Sequence, residues 1–152
     1  MNRQQKILVV NFVTVVFVTA VFVVGMMHVK DWLNKSEAIR AMEHIGELVL
    51  QYRQKYGSLP AESYLAPVKA KFVRLGELHY RAQWIDFDSP ADTILAYTKK
   101  ELRSELVKSG YVVLRLGGQV QWMEKRQFEQ LLRQQQTERE IEMLQKRIDK
   151  SF

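Results

Sequence analysis

The chain has 152 residues, 26% of them charged and none of them cysteine, with a formal net charge of +6. Without cysteine there is no disulfide framework, no thiolate metal site and no catalytic thiol. The basic residues alternate with acids and form no cluster along the sequence. Nucleic-acid binding is therefore not expected, and attraction to anionic lipid or plain solvation accounts better for the charge.

Residues 1–6 form a short basic tail with Arg3 and Lys6. From Ile7 to Val29 there is no charged residue; Asn11, two threonines, Gly25 and His28 lie among Val, Phe, Ile, Leu, Met and Ala. As a helix this run is roughly 34 Å long, enough for the ~30 Å hydrocarbon core of a bilayer. A cleaved signal peptide is disfavoured: such apolar regions run about 7–15 residues and end in an A-x-A-like site, which Gly25-Met26-Met27-His28 does not match. A buried core helix is disfavoured because the rest of the chain is too short to cover it. The positive-inside count is nearly tied between Arg3 and Lys6 before the run and Lys30, Lys35 and Arg40 after it. A short tail retained inside is the usual signal-anchor arrangement, which puts the C-terminal part outside.

Over residues 30–57 the pattern becomes amphipathic. Ile39, Met42, Ile45, Val49, Tyr52 and Tyr56 recur at spacings of three and four, one stripe of a helix. Arg40, Glu43, Glu47 and Arg53 lie mostly off it. Gly57 suits the C′ position, with Pro60 beyond. The expectation is one helix over about Ile7–Tyr56, with Gly46 as the place where it could flex and Asn34-Lys35-Ser36 where it could break.

Residues 58–123 read as a small antiparallel sheet domain. Ser58–Pro67 is expected as loop, Ala70–Leu75 as a short strand or helical turn, His79–Phe87 as a strand, and Asp88-Ser89-Pro90 as a turn. Thr93–Tyr97 is a further strand, and Glu101–Lys108 a short helix or charged loop. Tyr111–Leu116 and Gln119–Met123 are the clearest strand pair, a hairpin within 111–123 turning on Gly117-Gly118 as a two-residue loop. Alternation along its first strand suggests one buried face. Residues 124–152 read as one C-terminal amphipathic helix whose polar middle, Arg133–Glu140, has little to bury and projects. The fold class is α+β: a long N-terminal helix on a small antiparallel sheet, with a C-terminal helix.

The stem's end, Val49-Leu50-Gln51-Tyr52-Arg53-Gln54-Lys55-Tyr56-Gly57-Ser58-Leu59-Pro60, resembles type IV pilins and type II secretion pseudopilins. In that class a basic leader precedes an apolar helix that continues as an amphipathic stem under a small sheet. The C-terminal half is similar to a bacterial group of prepilin-like proteins. There a segment like Ser89-Pro90-Ala91-Asp92-Thr93-Ile94-Leu95-Ala96-Tyr97 precedes a hairpin turning on Asp-Gly-His, and Lys125, Phe128, Leu131 and Leu132 fit the continuation. The resemblance implies a single-pass protein of the bacterial cytoplasmic membrane that works by assembly. Four positions depart from the pattern. Lys6 stands where the precursor cleavage site has Gly or Ala, and Asn11 where the fifth residue of the run is Glu. Gly117 and Gln119 replace the Asp and His of the turn.

No site for catalysis is expected. There is no Gly-x-Ser-x-Gly elbow, no phosphate loop and no zinc spacing among His28, His44 and His79, and no cofactor is expected. Asp86, Asp88 and Asp92 are the only calcium candidates. Asn11 and Thr14 are candidates for helix association, Trp32 for the membrane interface, and Ile39, Met42, Ile45, Val49 and Tyr52 for stem packing. Trp84 and Trp122 are expected on strands. The expected partners are membrane lipid and other membrane helices or pilin-like subunits. The alternative is a single-span adaptor that recruits a soluble partner through its C-terminal helix.

Overall fold

The structure, a computed structural model, describes residues 2–102 and 109–149. Most of the segment expected at Glu101–Lys108 lies outside the described residues. Helix α1 runs unbroken from Arg3 to Tyr56, 54 residues, roughly 80 Å. Asn2 and Gln5 cap its start reciprocally: Asn2 Oδ1 accepts from the Arg3 N–H at 3.0 Å, and Gln5 Oε1 from the Asn2 N–H at 3.0 Å. It ends where its sequence predicts. Gly57 takes the left-handed conformation (φ 64°) and its N–H bonds the Arg53 carbonyl, a stop that glycine adopts without a Cβ penalty.

Four strands, β1 (Leu78–Tyr80), β2 (Ile94–Lys100), β3 (Gly110–Arg115) and β4 (Val120–Glu124), pair antiparallel in the order β1-β2-β3-β4. The C-terminal half of α1 lies on one face of this sheet. Ala38, Ala41, Met42, Ile45 and Val49 are buried there with Leu95, Val112, Leu114 and Leu116. Helix α3 (Lys125–Gln135) covers the other face, where Phe128 packs with Ile94, Tyr97, Val113 and Met123. Val112 and Val113 are both fully buried, so β3 is sandwiched rather than half-buried as the alternation suggests. Between Ile94 and Ala96 the β2–β3 register slips. The extra residue puts Leu95 and Ala96 on the same face.

Several expectations need correction. Ser58–Pro67 is not all loop: helix α2 spans Glu62–Lys71 with Pro67 inside. Burial of Leu65 and the packing of Val68 and Phe72 against the stem core outweigh the breaker residues. The strand expected at His79–Phe87 ends at Tyr80. Ala82–Trp84 is a 3-10 turn, so Trp84 is not on a strand, because the chain bends where Arg81 turns into the core. The C-terminal segment is two helices, α3 and α4 (Glu138–Asp149), broken at Gln136-Thr137. Gly46 is no flex point and Asn34-Lys35-Ser36 no break; α1 continues through both.

The hairpin loop has three residues, not two. Leu114 pairs with Val120, the Arg115 N–H bonds the Gln119 carbonyl at 2.8 Å, and the Gly118 N–H bonds the Arg115 carbonyl at 2.9 Å. Within the loop only Gly118 has positive φ, 87°, the arrangement of a tight turn closed by a glycine bulge. A Cβ at Gly118 would also lie 2.5 Å from Leu50 Cδ1. We therefore expect Gly118→Ala to destabilise the fold by about 1–2 kcal/mol. Ile45→Ala, at a fully buried position, should cost about 2–5 kcal/mol. Chemical unfolding of the full chain in detergent measures both, and an unchanged midpoint for either would contradict the packing.

Candidate functional site

Three places carry the structure's distinctive chemistry: the bare half of α1, the junction between stem and hairpin, and a buried ion pair at the C-terminal elbow. The first is set by composition. The most apolar window of α1 has mean hydropathy 2.9 and none of it is covered by the rest of the chain. This helix is long and apolar enough to cross a membrane.

Asn11 and Thr14 lie three residues apart and so on the same side. The Thr14 hydroxyl donates to the Val10 carbonyl at 2.8 Å, and Thr19 does the same to Val15. Both threonines thus satisfy themselves within the helix, which leaves the Asn11 amide as the stronger association candidate. Val18 and Gly25 follow Asn11 at seven-residue intervals, and Val21 and His28 follow Thr14 likewise. These positions share one side of the helix with Asn11 and Thr14. Trp32 is 64% exposed, free to sit at an interface.

At the stem junction, Met42, Ile45 and Val49 are buried as expected, while Ile39 and Tyr52 are half-buried. The Tyr52 ring packs at a tilt against Tyr56 and Tyr64, with centroids 4.5 and 4.9 Å away. The buried face is displaced from the predicted stripe toward Ala38, Ala41 and Gly46. Small residues count little in a hydrophobic stripe, yet here they let backbones meet. A Cβ on Gly46 would come within 2.9 Å of Leu114 Cδ1 and 3.5 Å of the Gly118 carbonyl.

Arg53, read from sequence as lying off the stripe, reaches across this junction. It donates to the Leu116 carbonyl at 3.0 Å and the Phe87 carbonyl at 3.3 Å, and lies 4.9 Å over the Phe87 ring. The Leu116 and Gly117 N–H groups bond the Thr93 and Ala91 carbonyls, each at 2.8 Å. So the stem end, the Ser89–Tyr97 segment and the glycine hairpin converge on one knot. Gly117 and Gly118 serve it as backbone, with no titratable group at the turn.

The third place was not foreseen. Arg81 and Glu140 are 3% and 1% exposed and form a bidentate pair, Nε–Oε1 2.7 Å and Nη2–Oε2 2.9 Å. Of the remaining guanidinium donors, Nη1 reaches the Ile94 carbonyl at 2.7 Å and Nη2 the Gln135 carbonyl at 3.0 Å. Gln135 Oε1 in turn accepts from the Ile94 N–H at 2.7 Å. Both backbone groups of Ile94, at the β2 irregularity, are thus met by side chains. Far from projecting, the Arg133–Glu140 region is fastened to the sheet. A sequence signal for it exists: Thr137-x-x-Glu140 reads as a helix start, and Thr137 Oγ1 accepts from the Glu140 N–H at 3.3 Å.

The remaining candidates do not assemble into a site. Asp86, Asp88 and Asp92 are exposed, and among the described residues no group of three or more His, Cys, Asp or Glu side chains could hold a metal ion. His79 stacks on Tyr97 at 4.9 Å, and His44 meets the Phe72 edge at 6.0 Å. Trp122 packs beside the stem with the Lys35 ammonium 4.4 Å over its ring. The Tyr80 hydroxyl donates to the Pro60 carbonyl at 2.9 Å, and burial pushes it well above the usual phenol range. These are packing roles. No protein-family model matches the chain, and no curated protein or solved structure is significantly similar to it.

Breaking the buried pair from one side leaves an uncompensated charge. Arg81→Met should therefore cost about 3–5 kcal/mol, with much of the loss recovered in Arg81→Met/Glu140→Leu. Unfolding midpoints of the three proteins test this; a loss below about 1 kcal/mol in the single variant would mean the pair fastens nothing.

Proposed function

We propose that the chain is a membrane-anchored, pilin-like structural or assembly protein that acts by helix association and docking rather than by catalysis. One observation supports this reading above the others. A single uninterrupted helix carries an uncovered apolar half and a half clasped by a sheet, so the sheet domain is rigidly coupled to whatever the apolar half inserts into. The order of stem, Ser89–Tyr97 segment and glycine hairpin supports the same class. The preferred setting is the bacterial cytoplasmic membrane, crossed once, with the sheet domain on the outer side.

In this reading Asn11 makes the lateral contact. An amide in hydrocarbon gains from a polar partner on a neighbouring helix, typically well under 2 kcal/mol. That is enough to bias register when the rest of the face is apolar. Asn11 takes the place of the acid usual in pilins, which points to a neighbour that offers a neutral hydrogen-bonding group rather than a charge. Trp32 sets the depth of insertion.

A second reading, a single-span adaptor, has one observation in its favour. Ile141 and Met143 on α4 are 40% and 50% exposed and leave apolar side chains uncovered on two sides of that helix.

A photoreactive residue in place of Asn11, activated in native membranes, tests the first reading. We expect crosslinks to the apolar helix of a second copy or of another membrane protein, retained when Ile141 and Met143 are both changed to Glu. Crosslinks to lipid alone would contradict helix association, and loss of the complex in the Ile141→Glu/Met143→Glu protein would favour the adaptor.

A further inference from the structure

The end of the sheet domain nearer the apolar half of α1 has a chemistry of its own. A groove of about 380 Å³ opens there between the stem and the segment joining α2 to β1. Phe72 and Val73 give it an apolar wall, and Val73 is 89% exposed. Arg40, Lys71 and Arg74 line it with positive charge, against Glu37, which takes Arg74 at 2.9 Å. The Lys100 ammonium donates to the Arg74 carbonyl beside it.

The position of this groove along α1 gives it meaning. Glu37 and Arg40 follow Val29 by eight and eleven residues, roughly 12 and 16 Å along the helix axis. The headgroup layer extends about 5–7 Å beyond the hydrocarbon. A typical tilt of ~20° lowers one side of the domain further. The backbone of Arg40 then lies about 10 Å from the lipid phosphates, close to the Debye length of ~8 Å, and its side chain spans much of what remains. Long basic side chains keep their heads in the polar layer while their stems lie along apolar surface, and an apolar wall next to them suits the glycerol and upper acyl region of the same lipid.

We infer that this groove is an anionic-phospholipid docking surface, with Arg40 and Lys71 meeting the headgroup phosphate and Val73 entering the interface. The inference rests on the reading of residues 7–29 as a membrane span, and it makes the sheet domain lean on the bilayer instead of standing clear of it. Lipid charge then sets the domain's orientation, and with it the geometry presented to neighbouring subunits.

The absence of cysteine makes single-site labelling direct. The full chain carrying Val73→Cys with an environment-sensitive fluorophore is reconstituted in phosphatidylcholine vesicles, with or without about one-third phosphatidylglycerol. A second protein carries the label at Phe17→Cys. We expect the label at 73 to be quenched by lipid-borne quencher in the anionic vesicles and to return to water in neutral vesicles or high salt. Arg40→Gln/Lys71→Gln should weaken the docked state about thirtyfold. Free glycerol phosphate added to neutral vesicles should leave the label in water.

If the label at 73 stays in water in anionic vesicles while that at 17 is in lipid, the docking surface is wrong and the span reading stands. Equal quenching at 73 in neutral vesicles, or in the Arg40→Gln/Lys71→Gln protein, also overturns it. A label at 17 in water removes both.

Discussion

The stem helix can lie on the sheet only because side chains are missing where the two backbones cross. Gly46 on α1 meets Leu114 and Gly118 on the hairpin, with Ala38 and Ala41 fully buried on the same helix, and at Gly46 and Gly118 an added carbon would fall within 3 Å of a neighbouring side chain. Packing this tight transmits displacement instead of absorbing it. Because α1 has no break, the same contact couples the sheet to the uncovered apolar segment. Arg53 closes the far end of the contact by tying the stem to the hairpin tip and to Phe87.

The opposite face of the sheet is held by polar chemistry. The Arg81–Glu140 pair is costly to bury, and its desolvation is offset only because the guanidinium and carboxylate are bidentate and the spare donors find carbonyls. Its clear role is geometric. It meets the backbone at the β2 irregularity and fixes where α3 ends and α4 begins. The domain is thus a sheet fastened by close apolar contact on one side, and by an aromatic cluster plus one ion pair on the other.

Much of this was legible in the sequence, for physical reasons that also explain the misses. The apolar run, the stem's period and the Gly57 stop are local signals on a long helix, so α1 was readable to its last residue. The hairpin was readable because Tyr111–Met123 combines β-branched alternation with a glycine turn. Its loop length was not, since Gly117-Gly118 fits two- and three-residue turns alike and only the pairing of Leu114 with Val120 decides. Helix α2 was hidden by Pro60 and Pro67, whose local preference yields to the burial of Leu65. The small-residue contact was missed because alanine and glycine barely register in a hydrophobic stripe. The ion pair joins residues 59 apart in sequence, a separation at which only tertiary structure can reveal a partner.

The account's central claim is that residues 38–52 and the hairpin are one body continuous with the apolar segment. Hydrogen–deuterium exchange on the full chain in lipid nanodiscs tests it most directly, because amides that open only with the whole domain exchange together. The account predicts matched, strong protection over residues 38–52 and 110–123, with residues 7–29 protected by lipid throughout. Rapid exchange across 38–52 beside a protected hairpin would contradict it, showing a stem that is not held by the sheet.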